Sequence, residues 1–428
     1  MHVGQNILTH KLKATLDQRR RDGRLLVPPV PVTLADTVDF GSNDTLNLSG
    51  SGLLSAAFLR ELERHPGFTI GSTSARAFEG TRKYLIDLED DLAKFHGAEA
   101  GVFVNSGFDG NVAIWSAIPQ PGDFIVYDEL AHASIHDGMR MGRATCLPFR
   151  HNDCEALRAR LEDIRNHNTG VASGENVVFI SIESFYSMDG DAAPIHGIVA
   201  AAREALPGGN YVCAIDEAHS NGLVGPNGSG FVCHFGLEKE FPIRLNTCGK
   251  ALGSTGAIIL CNETVKAALI NYARNMVYST APSFLSAAGV RAGYELAASA
   301  EGEKRRQLVQ QKVRYFYRLL TDNPKWRQAS RSGIVRLPTE KTWATRPLQS
   351  PIIALIAPLE EADNLAEHLR NGRFWVNSVH FPTVPKGMDR VRMVIHAHNT
   401  KEDIEAVVGR VLGYATEKLE SQSLRAGL

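Results

Sequence analysis

The chain has 428 residues, 43% of them hydrophobic and 22% charged, with a formal net charge of -1. That is the make-up of a globular protein able to bury a large core, and the near-neutral charge gives no ground for a nucleic acid or an anionic membrane as partner. The six cysteines (146, 154, 213, 233, 248 and 261) show no C-x-x-C pairing, which argues against a disulfide framework or a zinc site.

Residues 5 to 22 read as an amphipathic, Arg-rich helix, broken by Pro28, Pro29 and Pro31 into an extended arm. A short strand from Val38 closes into a turn at Asn43-Asp44. Gly71 to Arg76 is small and polar, too poor in apolar residues to be core. From Tyr84 to His96, Leu85, Leu88, Leu92 and Phe95 repeat at helical spacing. Apolar strand-like runs then alternate with helical stretches: Gly101 to Asn105, Asp123 to Tyr127, Val177 to Ser181, Tyr211 to Ile215 and Ile243 to Thr247. This rhythm predicts an α/β fold with a mainly parallel sheet covered by helices. The first of these strands runs into Ser106-Gly107-Phe108, a strand-to-helix junction whose free N–H groups suit a phosphate. Beyond about residue 295 a charged helix (301 to 320) precedes strands at 351 to 356, 375 to 380 and 391 to 395. A last helix starts at Thr400, with Asp403 forming a capping box. The expected division is an N-terminal helix and arm (1–50), a large domain (51–294) and a small α+β domain (295–428). No apolar run reaches membrane-spanning length, and no apolar segment follows the basic N-terminus. The expected compartment is the cytoplasm; a faint peroxisomal address at Ala426-Gly427-Leu428 is the alternative.

The chemistry concentrates between Tyr211 and Gly256. Asp216-Glu217-Ala218-His219 ends one buried strand, and Cys248-Gly249-Lys250-Ala251 follows the next. A lysine can hold pyridoxal phosphate as a Schiff base, and a carboxylate beside the pyridine nitrogen keeps that nitrogen protonated. Each residue alone has an ordinary reading: Asp216 as a turn residue, Lys250 as a solvated loop residue, Arg392 as a strand-surface residue. His132 and His136, four apart, lack the further ligands of a metal site, so no metal is expected. Gly249-Lys250 is followed by alanine, which argues against a P-loop.

With these motifs, and with Phe185-Tyr186-Ser187-Met188-Asp189-Gly190-Asp191, Tyr278-Ser279-Thr280 and Pro382-Thr383-Val384-Pro385 in order, the chain resembles the α-oxoamine synthases, nearest to their 8-amino-7-oxononanoate synthase branch. The likeness covers about residues 35 to 415. It implies a fold-type I transferase that uses pyridoxal 5'-phosphate to join a small amino acid, alanine first, to an acyl-CoA or acyl-carrier thioester as a homodimer. It also implies roles: Lys250 for the Schiff base, Asp216 at the pyridine nitrogen, His219 and Ser187 at the phenolic oxygen, and His132 stacked on the ring. Ser106, Gly107, Phe108 and Thr247 would hold the phosphate, Thr280 would reach the partner's site, and Asn43 with Arg392 would bind the amino-acid carboxylate. Departures at Thr45, Leu85, Ala75 and Ala281 to Phe284 lie in segments expected to shape the substrate side. They leave the acyl chain open between pimeloyl and a long or polyketide-derived chain. An aminotransferase is the competing activity.

Overall fold

The computed structural model describes residues 3–22, 24–27 and 36–426. Pro28, Pro29 and Pro31 of the expected arm, and Gly427-Leu428 of the faint peroxisomal address, fall outside them. Twelve strands occur among the described residues: β1 (Val38–Asp39), β2 (Ala100–Val104), β3 (Phe124–Asp128), β4 (Thr145–Phe149), β5 (Val178–Glu183), β6 (Tyr211–Asp216), β7 (Ile243–Thr247), β8 (Ala257–Cys261), β9 (Ile352–Ile356), β10 (Phe374–Trp375), β11 (Asn377–Val379) and β12 (Arg390–Val394).

Seven strands form the central sheet in the order β2-β8-β7-β6-β5-β3-β4. All contacts from β7 through β4 are parallel, and β8 runs antiparallel to both β2 and β7. Because β8 is inverted between them, β2 points the same way as β7. The carboxyl ends of β2, β3, β5, β6 and β7 therefore share one edge, where open α/β sheets gather ligands. Strands β2, β5, β7 and β8 are buried along their whole length, which explains their continuous apolar runs in place of alternation.

The C-terminal part adds the antiparallel sheet β11-β12-β9, while β1 pairs in parallel with β10. One apolar cluster runs through both parts, joining Leu161, Val178 and Ile198 to Val309, Phe316, Ile353 and Met393. The last helix carries the expected box: the Thr400 N–H donates to Asp403 Oδ2 at 2.8 Å, and the Asp403 N–H to Thr400 Oγ1 at 3.1 Å. The helix Phe284–Ala298 shows little one-sided apolar patterning, and the sequence reading passed over it. Buried small residues on several of its sides (Ala287, Ala288, Ala292, Ala297) explain that.

One expectation needs correcting. The polar stretch 71–76 is not a surface loop throughout: Ser72 and Arg76 are buried, and Arg76 pairs with the buried Glu89. Charge pairing, not apolarity, seats it. Thr45, Leu85 and Ala281 lie outside the Lys250 cavity described below, while Leu85 lines a neighbouring pocket with Pro282 and Phe284, and Ala281 lines another with Thr280. Leu85 packs with Leu88, Leu92 and Phe103 in an apolar cluster, and the buried Thr45 gives its carbonyl to the Ala397 N–H.

Candidate active site

At the shared strand edge a cavity is lined by Gly107, Phe108, Asn111, His132, Ser134, Glu183, Ser187, Asp216, Ala218, His219, Thr247 and Lys250. Eight of the expected cofactor residues thus meet in one place, although they span 144 positions of the chain from Gly107 to Lys250. Lys250 Nζ lies 2.8 Å from His219 Nε2. Burial, with Lys250 and Arg392 nearby, holds the His219 pKa well below its ordinary value, so the ring is neutral and Nε2 accepts from the lysine. Burial also lowers the Lys250 pKa to about 8, opposed by the attraction of Asp216 and Glu183. An amine so placed is available as a nucleophile or base near neutral pH.

Asp216 ends β6 and is held on both oxygens. The Ala218 N–H donates to Oδ1 at 2.8 Å, and Asn111 Nδ2 donates to Oδ2 at 2.8 Å. Asn111 also donates to Ser134 Oγ at 2.9 Å, and that oxygen lies 2.7 Å from His132 Nδ1. A polar chain thus links Asp216 to His132. Sequence reading missed Asn111 and Ser134; the only signal was their place in the opening residues of the two helices after Ser106 and His132. It also missed Glu183, whose Oε1 accepts the His132 N–H at 2.7 Å and which pairs with Asp216 in register across β5 and β6. Burial and the neighbouring Asp216 push the Glu183 pKa well up.

The phosphate end is built from backbone. The helix Gly107–Ala117 is capped by Ser106, whose Oγ accepts the Asp109 N–H at 3.0 Å and donates to Asp109 Oδ2 at 2.8 Å. The Gly110 N–H goes to the Ser106 carbonyl, which leaves the N–H groups of Gly107 and Phe108 outside the helical ladder. A Cβ on Gly107 would come within 3.2 Å of Thr247 Cβ and Oγ1, so glycine keeps this cradle open. Of the expected phosphate group Ser106, Gly107, Phe108 and Thr247, the Ser106 hydroxyl is engaged in the helix cap with Asp109. Thr280 lies apart, in a second pocket with Arg76, Asn105, Asp109 and Asn275.

Arg392 and Asn43 meet beside the cavity. Arg392 Nε donates to the Ser187 carbonyl at 2.7 Å and Nη2 to Asn43 Oδ1 at 3.0 Å. Arg392 is 8% exposed, against the strand-surface alternative. Among the described residues no carboxylate pairs with it, and burial lowers its pKa to about 10. His136 packs edge-on to Tyr127 and His396 is wholly buried against Ser42; neither faces the cavity.

These features fit pyridoxal phosphate: two free N–H groups at a helix start for its phosphate, with a restrained carboxylate and a lysine of lowered pKa in the same cavity. The relatives agree with the geometry. The family model for class I and II aminotransferases matches residues 35–411. Aminoacyl transferase sphA of Aspergillus fumigatus is 40% identical over 411 residues, covering 96% of this chain and 87% of its own. An 8-amino-7-oxononanoate synthase of Emericella nidulans is 38% identical, covering 95% and 96%. A serine palmitoyltransferase from S. paucimobilis, solved with bound PLP, superimposes with a TM-score of 0.74 at 25% identity, covering 89% and 88% of the two chains. The chain belongs to the class I and II aminotransferase family and, within it, to the pyridoxal-phosphate-dependent α-oxoamine synthases.

Proposed function

We propose that the protein joins a small amino acid, alanine first, to an acyl thioester and yields an α-amino ketone, carbon dioxide and the free thiol. A bond forms between the amino acid's α-carbon and the thioester carbonyl carbon. The C–S bond breaks with its electron pair leaving on sulfur, and the α-carboxylate departs as carbon dioxide. The observation that carries this reading is the buried Arg392 guanidinium, without a carboxylate partner, beside Asn43 and a cavity that holds Lys250. A buried cation lacking an anion is costly, and an amino-acid carboxylate supplies that anion in a two-pronged grip.

When bound, pyridoxal phosphate supplies an electron sink for the charge left at the α-carbon once its proton is removed. The remaining steps belong to the protein. Lys250, with its pKa near 8, takes the α-proton as general base. His219 receives the lysine's hydrogen bond and fixes its direction. Asp216, locked by Asn111 and the Ala218 N–H, keeps a negative charge aimed at one wall, where a ring nitrogen would hold its proton. His132 closes another wall with Nδ1 committed to Ser134. Arg392 and Asn43 hold the carboxylate until it leaves.

The acyl chain stays open between pimeloyl and a longer chain, since relatives named sphA and 8-amino-7-oxononanoate synthase lie at similar identity. The active unit is proposed to be a homodimer. Support comes from Thr280 lining a pocket apart from its own chain's Lys250 cavity and from the exposed Ile70, Phe78 and Tyr278 on nearby segments. The test is a matrix of alanine, glycine and serine against several acyl-CoA and carrier-bound thioesters, read by mass spectrometry on protein whose mass is set by sedimentation. Carbon dioxide release that requires the thioester, from a dimer, is the expected result. Amino transfer to a keto acid without any thioester overturns the reaction, and full activity in a monomer overturns the assembly.

A further inference from the structure

His132 and Ser187 stand on two walls of the cavity, on segments that leave different strands: His132 follows β3 and Ser187 follows β5. A single side chain ties both segments. His151, two residues beyond β4, places Nδ1 2.8 Å from Asp128 Oδ1 and Nε2 2.8 Å from Asp191 Oδ2. Asp128 is the last residue of β3, and the same Oδ1 accepts the Leu130 N–H at 2.9 Å, two residues before His132. Asp191 closes the turn that begins at Tyr186: the Tyr186 N–H donates to the Asp191 carbonyl at 3.1 Å, and the Gly190 N–H to the Tyr186 carbonyl at 2.9 Å. Ser187 sits inside that turn. The Tyr186 ring meets the His151 ring edge to face, with centroids 4.5 Å apart. Asn152 doubles the tie, its N–H reaching Asp128 Oδ2 at 2.9 Å and its Nδ2 reaching Asp191 Oδ2 at 2.7 Å.

Both ring nitrogens of His151 face carboxylate oxygens, so both must donate, and the ring is an imidazolium. Burial alone would lower its pKa, but Asp128 and Asp191 hold it up at about 10. The other titratable or charged groups facing this cluster are Glu129, which accepts the His151 N–H at 3.0 Å, Arg346, which bonds the Gly190 carbonyl at 3.3 Å, and the buried Tyr186 hydroxyl, which hydrogen-bonds Asp128. His151, Asp189 and Asp191 bring ligand atoms within 4.8 Å of one another, a spacing that suits a metal. Here the cations are already present: Asp191 takes the imidazolium, and Asp189 takes the Arg390 guanidinium.

We propose that His151 is a positioning residue whose charged ring, clamped between Asp128 and Asp191, sets the separation of His132 and Ser187 across the cavity. The other side of the Ser187 turn is pinned by the small sheet, through Arg392 to the Ser187 carbonyl and Arg390 to the Met188 carbonyl at 2.9 Å. The clamp therefore opposes a pull from β12 and fixes where the turn comes to rest. The inference rests on the cavity being the pyridoxal-phosphate site.

The test compares wild type with His151→Gln and with Asp191→Asn, which keeps the side-chain shape and removes one charge. In protein without cofactor, ¹⁵N-histidine NMR reads the charge of His151, and the expected signal stays that of an imidazolium from pH 6 to pH 9, roughly the span between a free histidine and the clamped one. In protein loaded with pyridoxal phosphate, both variants keep the lysine attachment. They shift the pH midpoint of the cofactor's colour and slow α-proton exchange of alanine in D₂O by roughly ten- to a hundredfold, as displacement of a reacting group does. A His151 that titrates near the ordinary histidine value overturns the clamp. So do variants that match wild type in both midpoint and exchange, and Asp191→Asn decides alone where His151→Gln does not fold. Failure of wild type to take up the cofactor would instead overturn the reading of the cavity, and this inference with it.

Discussion

Arg392→Lys is the sharpest probe of the carboxylate site. A guanidinium has five N–H groups. Nε gives one to the Ser187 carbonyl and Nη2 gives one to Asn43 Oδ1, leaving three for a substrate. Lysine keeps the positive charge but offers three donors on a single nitrogen. It cannot serve Ser187, Asn43 and both oxygens of a carboxylate at once, so at least one charged hydrogen bond to the substrate is lost. Such a bond contributes about 1.5–3 kcal/mol, which corresponds to roughly 10- to 150-fold in affinity. The measurement is a titration of the cofactor's visible band with alanine, which gives the dissociation constant without any thioester. The expected outcome is a constant raised by that factor with the cofactor still attached to Lys250. An unchanged alanine constant, with the band intact, would refute the carboxylate role of Arg392 and the observation that carries the proposed function.

Further outcomes follow from the same geometry. Lys250 must be neutral to attack an aldehyde, and burial sets its pKa near 8, below the ordinary lysine value. The rate of cofactor capture by the free protein should therefore climb through pH 8 and level off above it, as stopped-flow absorbance can show; a rise centred near pH 10 would contradict the burial argument. Asn111→Ala removes the donor to Asp216 Oδ2 and to Ser134 Oγ, so the urea midpoint should drop by an amount equivalent to about 1.5–3 kcal/mol, with the m-value unchanged. His151 has a folded pKa raised from 6.5 to about 10, so its stabilising contribution is complete below pH 6.5 and is lost as the pH rises through 10. In His151→Gln that alkaline decline in melting temperature should be reduced.

The amino-acid order alone determined β2, β3, β5, β6 and β7 and the chemistry at their ends, but not the half-exposed edge strand β4 or the inverted β8. Buried parallel strands are continuously apolar, and the residues that end them carry the function, so Tyr211–Asp216 and Ile243–Thr247 were legible, with Asp216 closing the first and Lys250 just beyond the second. The capping box at Thr400 is local and was legible, since it depends on residues only three positions apart. What tertiary structure decided are the contacts made across the chain. Glu183 faces Asp216 because β5 and β6 pair in that register, and Asn111 reaches Asp216 because its helix packs over β7. His151 joins Asp128 to Asp191 across 63 positions, and Arg392 becomes a buried cation only when β12 meets the turn after β5. A buried charge is tolerated only where the fold delivers its partners, and no local pattern records which partners those are. Leu85 and Thr45 make a related point: both are buried, which their local sequence does not record, because the packing partners come from elsewhere in the chain.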